Sequence, residues 1–139
     1  MKILTLFLML MGMAFAVDSR FTGDTIGRTD LQKMAPFQAS LMIESGKAVL
    51  IDVRERSEVE GGMAYPAKWI PLSAIQQNSI AFREFLKNVP QDQTLIFYCG
   101  SGKRAEQARL ILQERGYQSL NIGSYESWRK AGLPVRTGP

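Results

Sequence analysis

Apolar and polar positions along the chain fall into two kinds of run. Ala48–Val53 and Thr94–Tyr98 are almost continuously apolar and rich in β-branched or aromatic residues. That is the pattern of strands buried on both faces of a parallel sheet. Elsewhere the apolar residues recur at helical spacing. Ile80, Phe82, Phe85 and Leu86 predict a helix over 79–88, stopped by Pro90. Ala105, Ala108, Ile111 and Leu112 form the apolar stripe of a helix from about Arg104 to Arg115, with Gly116 as its stop. A further helix is expected from about Pro36 to Ser45, with Pro36 in its first turn and Gly46 past its end. Phe37, Leu41 and Met42 would face the core. Shorter signals fill the gaps: a turn at Gly61-Gly62, an edge strand over Trp69–Leu72 before a polar turn, and a last strand over Ser119–Ile122. A final short helix ends near Gly132-Leu133-Pro134, and Asp30 is placed to cap a short helical turn. Strands that alternate with helices predict an α/β fold with a mostly parallel central β-sheet flanked by helices on both faces.

The amino terminus follows a different rule. Lys2 precedes a mostly apolar run from Ile3 to Val17, which is short for a membrane span and about the length of a signal-peptide core. It ends in Ala14-Phe15-Ala16, a small-x-small cleavage pattern, and polar residues follow at once. The expectation is a signal peptide over 1–16, an irregular N-terminal arm over 17–29 and one domain over 30–139. The mature protein would be periplasmic or otherwise exported, with no stable membrane anchor after cleavage. An uncleaved anchor is the alternative. A lipoprotein anchor would need a cysteine at the cleavage site, and none is there.

Composition narrows the chemistry chiefly by what is missing. The 139 residues include no histidine and one cysteine. A structural zinc site, a Ser-His-Asp triad and an intramolecular disulfide are thereby excluded. The net charge of +4 is mild and scattered along the chain. A nucleic-acid surface would cluster it with aromatics, so no nucleic-acid partner is expected. Small anionic substrates fit the same charge.

The candidate chemistry lies in Cys99-Gly100-Ser101-Gly102-Lys103-Arg104. Cys99 ends a predicted central strand, at the sheet edge where ligands of open α/β folds bind. Gly100 and Gly102 let a loop turn several N–H groups toward one point. The helix start adds its positive dipole end, and Lys103 and Arg104 add charge. Without histidine, a nucleophilic Cys99 depends on these features alone. Lys103, a flexible point charge, would draw an anionic donor to the loop mouth, while Arg104 fixes the loop, contacts the donor or stands in solvent. A buried, inert cysteine is the competing reading, and it leaves this electropositive setting without a role. Gly102-Lys103 is not the end of a P-loop, because Arg104 stands where Ser or Thr is required. A Cys-x5-Arg phosphatase loop would need arginine at position 105, which is Ala105.

These motifs resemble the rhodanese-like sulfurtransferases. Asp52-Val53-Arg54 is similar to that family's Asp-x-Arg at the end of its second strand. Glu58–Leu72 resembles its Glu-x-x-x-Gly-His-Ile stretch, with Met63 in place of the histidine. Cys99–Arg104 resembles the six-residue active loop Cys-x-x-Gly-x-Arg, and Gly123–Pro134 its closing Gly-Gly-x-x-x-Trp-x-x-x-Gly-x-Pro. The resemblance implies a rhodanese-like fold and a thiosulfate sulfurtransferase activity that moves sulfane sulfur through a Cys99 persulfide, without a cofactor. The donor would be a small thiosulfate-like anion and the acceptor cyanide, a thiol, or a redox or sulfur-acceptor protein. Gly100, Ser101, Gly102, Lys103 and Arg104 would form the anion cradle, with Asp52, Arg54 and Glu58 in support. Asp52 would accept loop N–H bonds, and Arg54 would pair with Glu58 or a neighbouring carboxylate. The alternatives are a non-catalytic module of the same fold and a cysteine-dependent phosphatase or arsenate reductase.

Overall fold

The computed structural model describes residues 34–139. The expected signal peptide, the arm and the Asp30 cap lie outside these residues. Four parallel strands form the sheet, in the order β3-β1-β4-β5, from β1 (Ala48–Asp52), β3 (Lys68–Trp69), β4 (Thr94–Cys99) and β5 (Ser119–Ser124). Both central strands are the near-continuous apolar runs. Their side chains alternate between two layers, as the period of a strand requires. Ile51, Val53, Leu95, Phe97 and Cys99 face one layer, closed by α3 (Leu72–Gln76), α4 (Ile80–Lys87) and α5 (Lys103–Glu114). Leu50, Ile96 and Tyr98 face the other, closed by α1 (Pro36–Glu44) and α6 (Tyr125–Lys130) through Ala39 and Trp128. Helices therefore cover both faces of a mostly parallel sheet, as expected.

Several expectations are corrected. Phe37 and Leu41 do not face the core: they are 61% and 51% exposed. α1 packs instead through the small residues Ala39 and Ser40, both buried, with Met42 and Ile43 beside them. The edge strand covers Lys68–Trp69 rather than Trp69–Leu72, and the stretch from Leu72 on is the helix α3 rather than a turn, with Leu72 and Ile75 buried. Ile80 is exposed, while Phe82 takes the core side of α4, whose start is capped by Ser79 accepting from the Phe82 N–H. α5 begins one residue early, at Lys103, and buries Arg109 beside its apolar stripe.

Three short elements escaped the pattern altogether. α2 (Arg56–Val59) follows β1, and β2 (Met63–Ala64) pairs antiparallel with β6 (Val135–Arg136). Met63, which stands where the resembled family has histidine, is fully buried in the layer of Trp128. At the far side of the sheet, the Met34 N–H donates to the Asn121 carbonyl of β5.

Candidate active site

The strand order creates the site. From β1 the chain passes to β3 on one side; from β4 it passes through α5 to β5 on the other. The loops after β1 and β4 thus diverge, leaving a crevice at the C-terminal ends of these neighbours. Cys99 ends β4 there and has no solvent exposure. Its sulfur accepts the Gly102 N–H at 3.0 Å. Gly102 lies at φ 93°, and a β-carbon on it would sit 3.1 Å from the Gly123 Cα. Glycine is therefore required twice over, by conformation and by space. Lys103, Arg104 and Ala105 open α5, so their N–H groups have no partner within the helix and add its positive end to the loop. Gly100, Ser101 and Lys103 are exposed.

Arg104 is not a solvated first-turn residue. Its guanidinium forms a fork with Glu58 from α2, both bonds at 2.7 Å, and so spans the crevice. A β-carbon on Gly100 would lie 3.2 Å from the Arg104 Nη2 and 3.4 Å from the Glu58 Oε1, so the pair lies against the loop backbone. Glu58 is itself held by a capping box: its Oε2 accepts the Glu55 N–H at 2.9 Å. The Arg104 hydrogen bond is the chief cause that lowers the Glu58 carboxyl to about 2. In return Glu58 holds the Arg104 guanidinium above its ordinary range against the loss of water, with smaller contributions from the charge and hydrogen bonding of Cys99.

Asp52 and Arg54 stand on the β1 side and are buried. Asp52 Oδ1 accepts the Arg54 N–H at 2.9 Å, as expected of a strand-end carboxylate. Its two oxygens also hold the guanidinium, at 2.8–3.1 Å, and Oδ2 accepts the Tyr98 hydroxyl. Arg54 therefore pairs with Asp52, not with the Glu58 carboxylate; from Glu58 it takes only the backbone carbonyl, at 3.4 Å. It also donates to the Gly62 carbonyl at 2.7 Å and lies 4.3 Å from the centre of the Tyr125 ring. Burial draws the Arg54 pKa down, but the bond and charge of Asp52, then Tyr98, leave it raised. Burial instead raises the pKa of the Tyr98 phenol, with the Asp52 charge adding to it.

Tyr98 and Asn121 are polar residues that sequence reasoning missed. Both sit within apolar strand patterns and carry no signal except being polar there. Asn121 is 2% exposed. Its Nδ2 donates to the Gly102 carbonyl at 3.0 Å and to Glu106 Oε2 at 3.2 Å, and its Oδ1 accepts the Gly123 N–H at 2.8 Å. Trp128 and Tyr125 serve packing: Trp128 is buried and donates its Nε1–H to the Pro134 carbonyl, and Tyr125 lies against the Arg54 guanidinium.

Residues 36–131 match the family described as the rhodanese-like domain. The chain is 34% identical over 96 residues to the human thiosulfate:glutathione sulfurtransferase, covering 63% of this chain and 84% of that protein. It is 29% identical over 107 residues to the thiosulfate sulfurtransferase GlpE of Actinobacillus succinogenes, covering 76% and 90%. Among solved structures, the human single-domain sulfurtransferase TSTD1 superposes with a TM-score of 0.61 at 29% identity, covering 71% of this chain and 96% of that one.

Proposed function

The chain belongs to the rhodanese-like family, and on that premise we propose that it transfers sulfane sulfur through a persulfide on Cys99. The observation that carries the reading is the Cys99 sulfur at the switch-point end of β4, receiving the Gly102 N–H at the start of α5. In the first half-reaction the Cys99 thiolate attacks the outer sulfur of thiosulfate. A Cys99–sulfur bond forms, the S–S bond of thiosulfate breaks, and sulfite leaves with the electron pair. In the second, cyanide or a thiolate attacks the outer sulfur of the persulfide, and Cys99 leaves as the thiolate with which it began. This is ping-pong nucleophilic catalysis. The loop N–H groups hold the anionic sulfur at each stage, and exposed Lys103 draws the donor. The human and Actinobacillus relatives, whose names include thiosulfate, support that donor class. A redox or sulfur-acceptor protein is an alternative acceptor.

The test is a thiosulfate:cyanide assay with intact mass measurement of the protein. Thiosulfate should add one sulfur to the wild type, cyanide should remove it, and Cys99→Ser should abolish both. Absence of turnover and of the added sulfur in the wild type would leave a non-catalytic module of the same fold. Full transfer by Cys99→Ser would refute the persulfide route.

We further propose that this chemistry takes place after export, because the segment up to Ala16 has the form of a cleaved signal. Sequencing of the mature protein from its own cell envelope should begin at Val17; an intact first residue would overturn this.

A further inference from the structure

We propose that Asn121 is a positioning residue for sulfur transfer, holding Gly102 so that its N–H points at the Cys99 sulfur. The inference rests on the reading of Cys99 as sulfur carrier. It starts from a side chain that apolar packing does not explain. β5 lies at the edge of the sheet, and Asn121 occupies one of its two fully buried positions, beside the apolar Ile122. A buried amide is costly unless its hydrogen bonds are made. Here the side-chain amide bonds to the loop, to the first turn of α5 and to the turn against which the loop packs.

The three partners fix the amide without ambiguity. The Gly123 N–H requires an oxygen, and the Gly102 carbonyl and the Glu106 carboxylate require a nitrogen. Glu106 is in turn gripped by Arg109, with bonds at 2.9 and 2.7 Å. Arg109 is 2% exposed, so the anchor is buried as well. Asn121 thus ties together one residue of the loop, the first turn of α5 and the glycine turn that closes β5.

Gly102 is where this matters. Its N–H binds the sulfur, and its carbonyl accepts both the Glu106 N–H of the helix and the Asn121 amide. The residue between these two peptide units stands at φ 93°, with the Gly123 backbone close behind it. Glycine has no side chain to lock such a conformation, so outside contacts must do so. Asn121 supplies one contact directly and sets the other by orienting Gly123. A donor aimed in advance at the developing sulfur anion lowers the barrier more than one that must be reoriented.

Asn121 touches neither the sulfur nor the donor, which separates its role from that of Lys103. Two variants remove the amide: Asn121→Leu keeps the bulk, and Asn121→Ser keeps a small polar group. In single-turnover loading with thiosulfate, both should slow persulfide formation about tenfold while leaving half-saturating thiosulfate unchanged. In hydrogen exchange read by NMR, the Gly102 amide should lose protection while the amides of β1 and β4 keep theirs. Wild-type loading rates with Gly102 still protected, in either folded variant, would overturn the proposal. So would uniform loss of protection across the sheet, which marks a role in stability alone. If Asn121→Leu does not fold, Asn121→Ser carries the test. Should Cys99→Ser retain transfer, the persulfide reading fails; should it lose transfer while the Asn121 variants match the wild type, only the assignment of Asn121 fails.

Discussion

Arg54 and Arg104 look alike in sequence, each a few residues beyond the end of a central strand, and each holds a carboxylate in a fork. Their surroundings make them different devices. Arg54 is paired with Asp52 two residues back, has a side chain only 6% exposed, and is enclosed by Tyr98, Tyr125 and the Gly62 carbonyl. Arg104 is paired with Glu58 across 46 positions of sequence, and both side chains remain about one-third exposed. The first pair closes a turn behind the crevice. The second bridges its two walls and lies against the loop that carries the sulfur. Distance in sequence and access to water, not the pairing itself, separate a structural ion pair from one that shapes a site.

The comparison can be broken from either side. Arg54→Ala should have the largest effect, since it leaves the fully buried Asp52 carboxylate without its cation; a loss of about 3–5 kcal/mol in urea unfolding is expected. A loss below 1 kcal/mol would show that the Tyr98 hydroxyl and the loop N–H suffice for Asp52. Arg104→Lys keeps the charge but gives up the fork. Sulfur transfer should fall about tenfold, the value of one well-placed hydrogen-bonding contact, while unfolding shifts by less than about 1 kcal/mol for so exposed a pair. Unchanged transfer would place Arg104 outside the machinery.

The smallest effect is one of pH. Arg104 depresses the Glu58 carboxyl from its ordinary 4.5 to about 2. A depressed acid contributes stability that is fully present above its ordinary value and is lost as pH falls through the lower one. The wild type should therefore exceed Glu58→Gln by about 1 kcal/mol or less at neutral pH, and the gap should close between about pH 4.5 and 2. A gap that closes at higher pH would show that the fork is not formed in solution.

The parts of the molecule legible in sequence are those in which one signal acts alone. Ala48–Val53 and Thr94–Tyr98 read as buried strands because nothing competes with their apolar runs. The loop from Cys99 to Arg104 was legible because glycine, cysteine and cations coincide at a helix start. α1 misled because the spacing of Phe37 and Leu41 matches a helical face, yet close packing selected the small side chains of Ala39 and Ser40. The carboxylate partner of Arg54 was legible only as one of two: the bend after β1 turns Arg54 back upon the neighbouring Asp52 and leaves Glu58 to face α5. Asn121 and Tyr98 were silent because their roles exist only once β4 and β5 lie side by side.

The two margins of the sheet are closed in different ways. β3 is two residues long, and β5 receives the Met34 N–H along its outer side, just before α1 begins. An unpaired strand of full length is a template on which another polypeptide can add. Here one margin is too short to serve and the other is already engaged at Asn121, so less open backbone is left for a neighbour to join strand to strand.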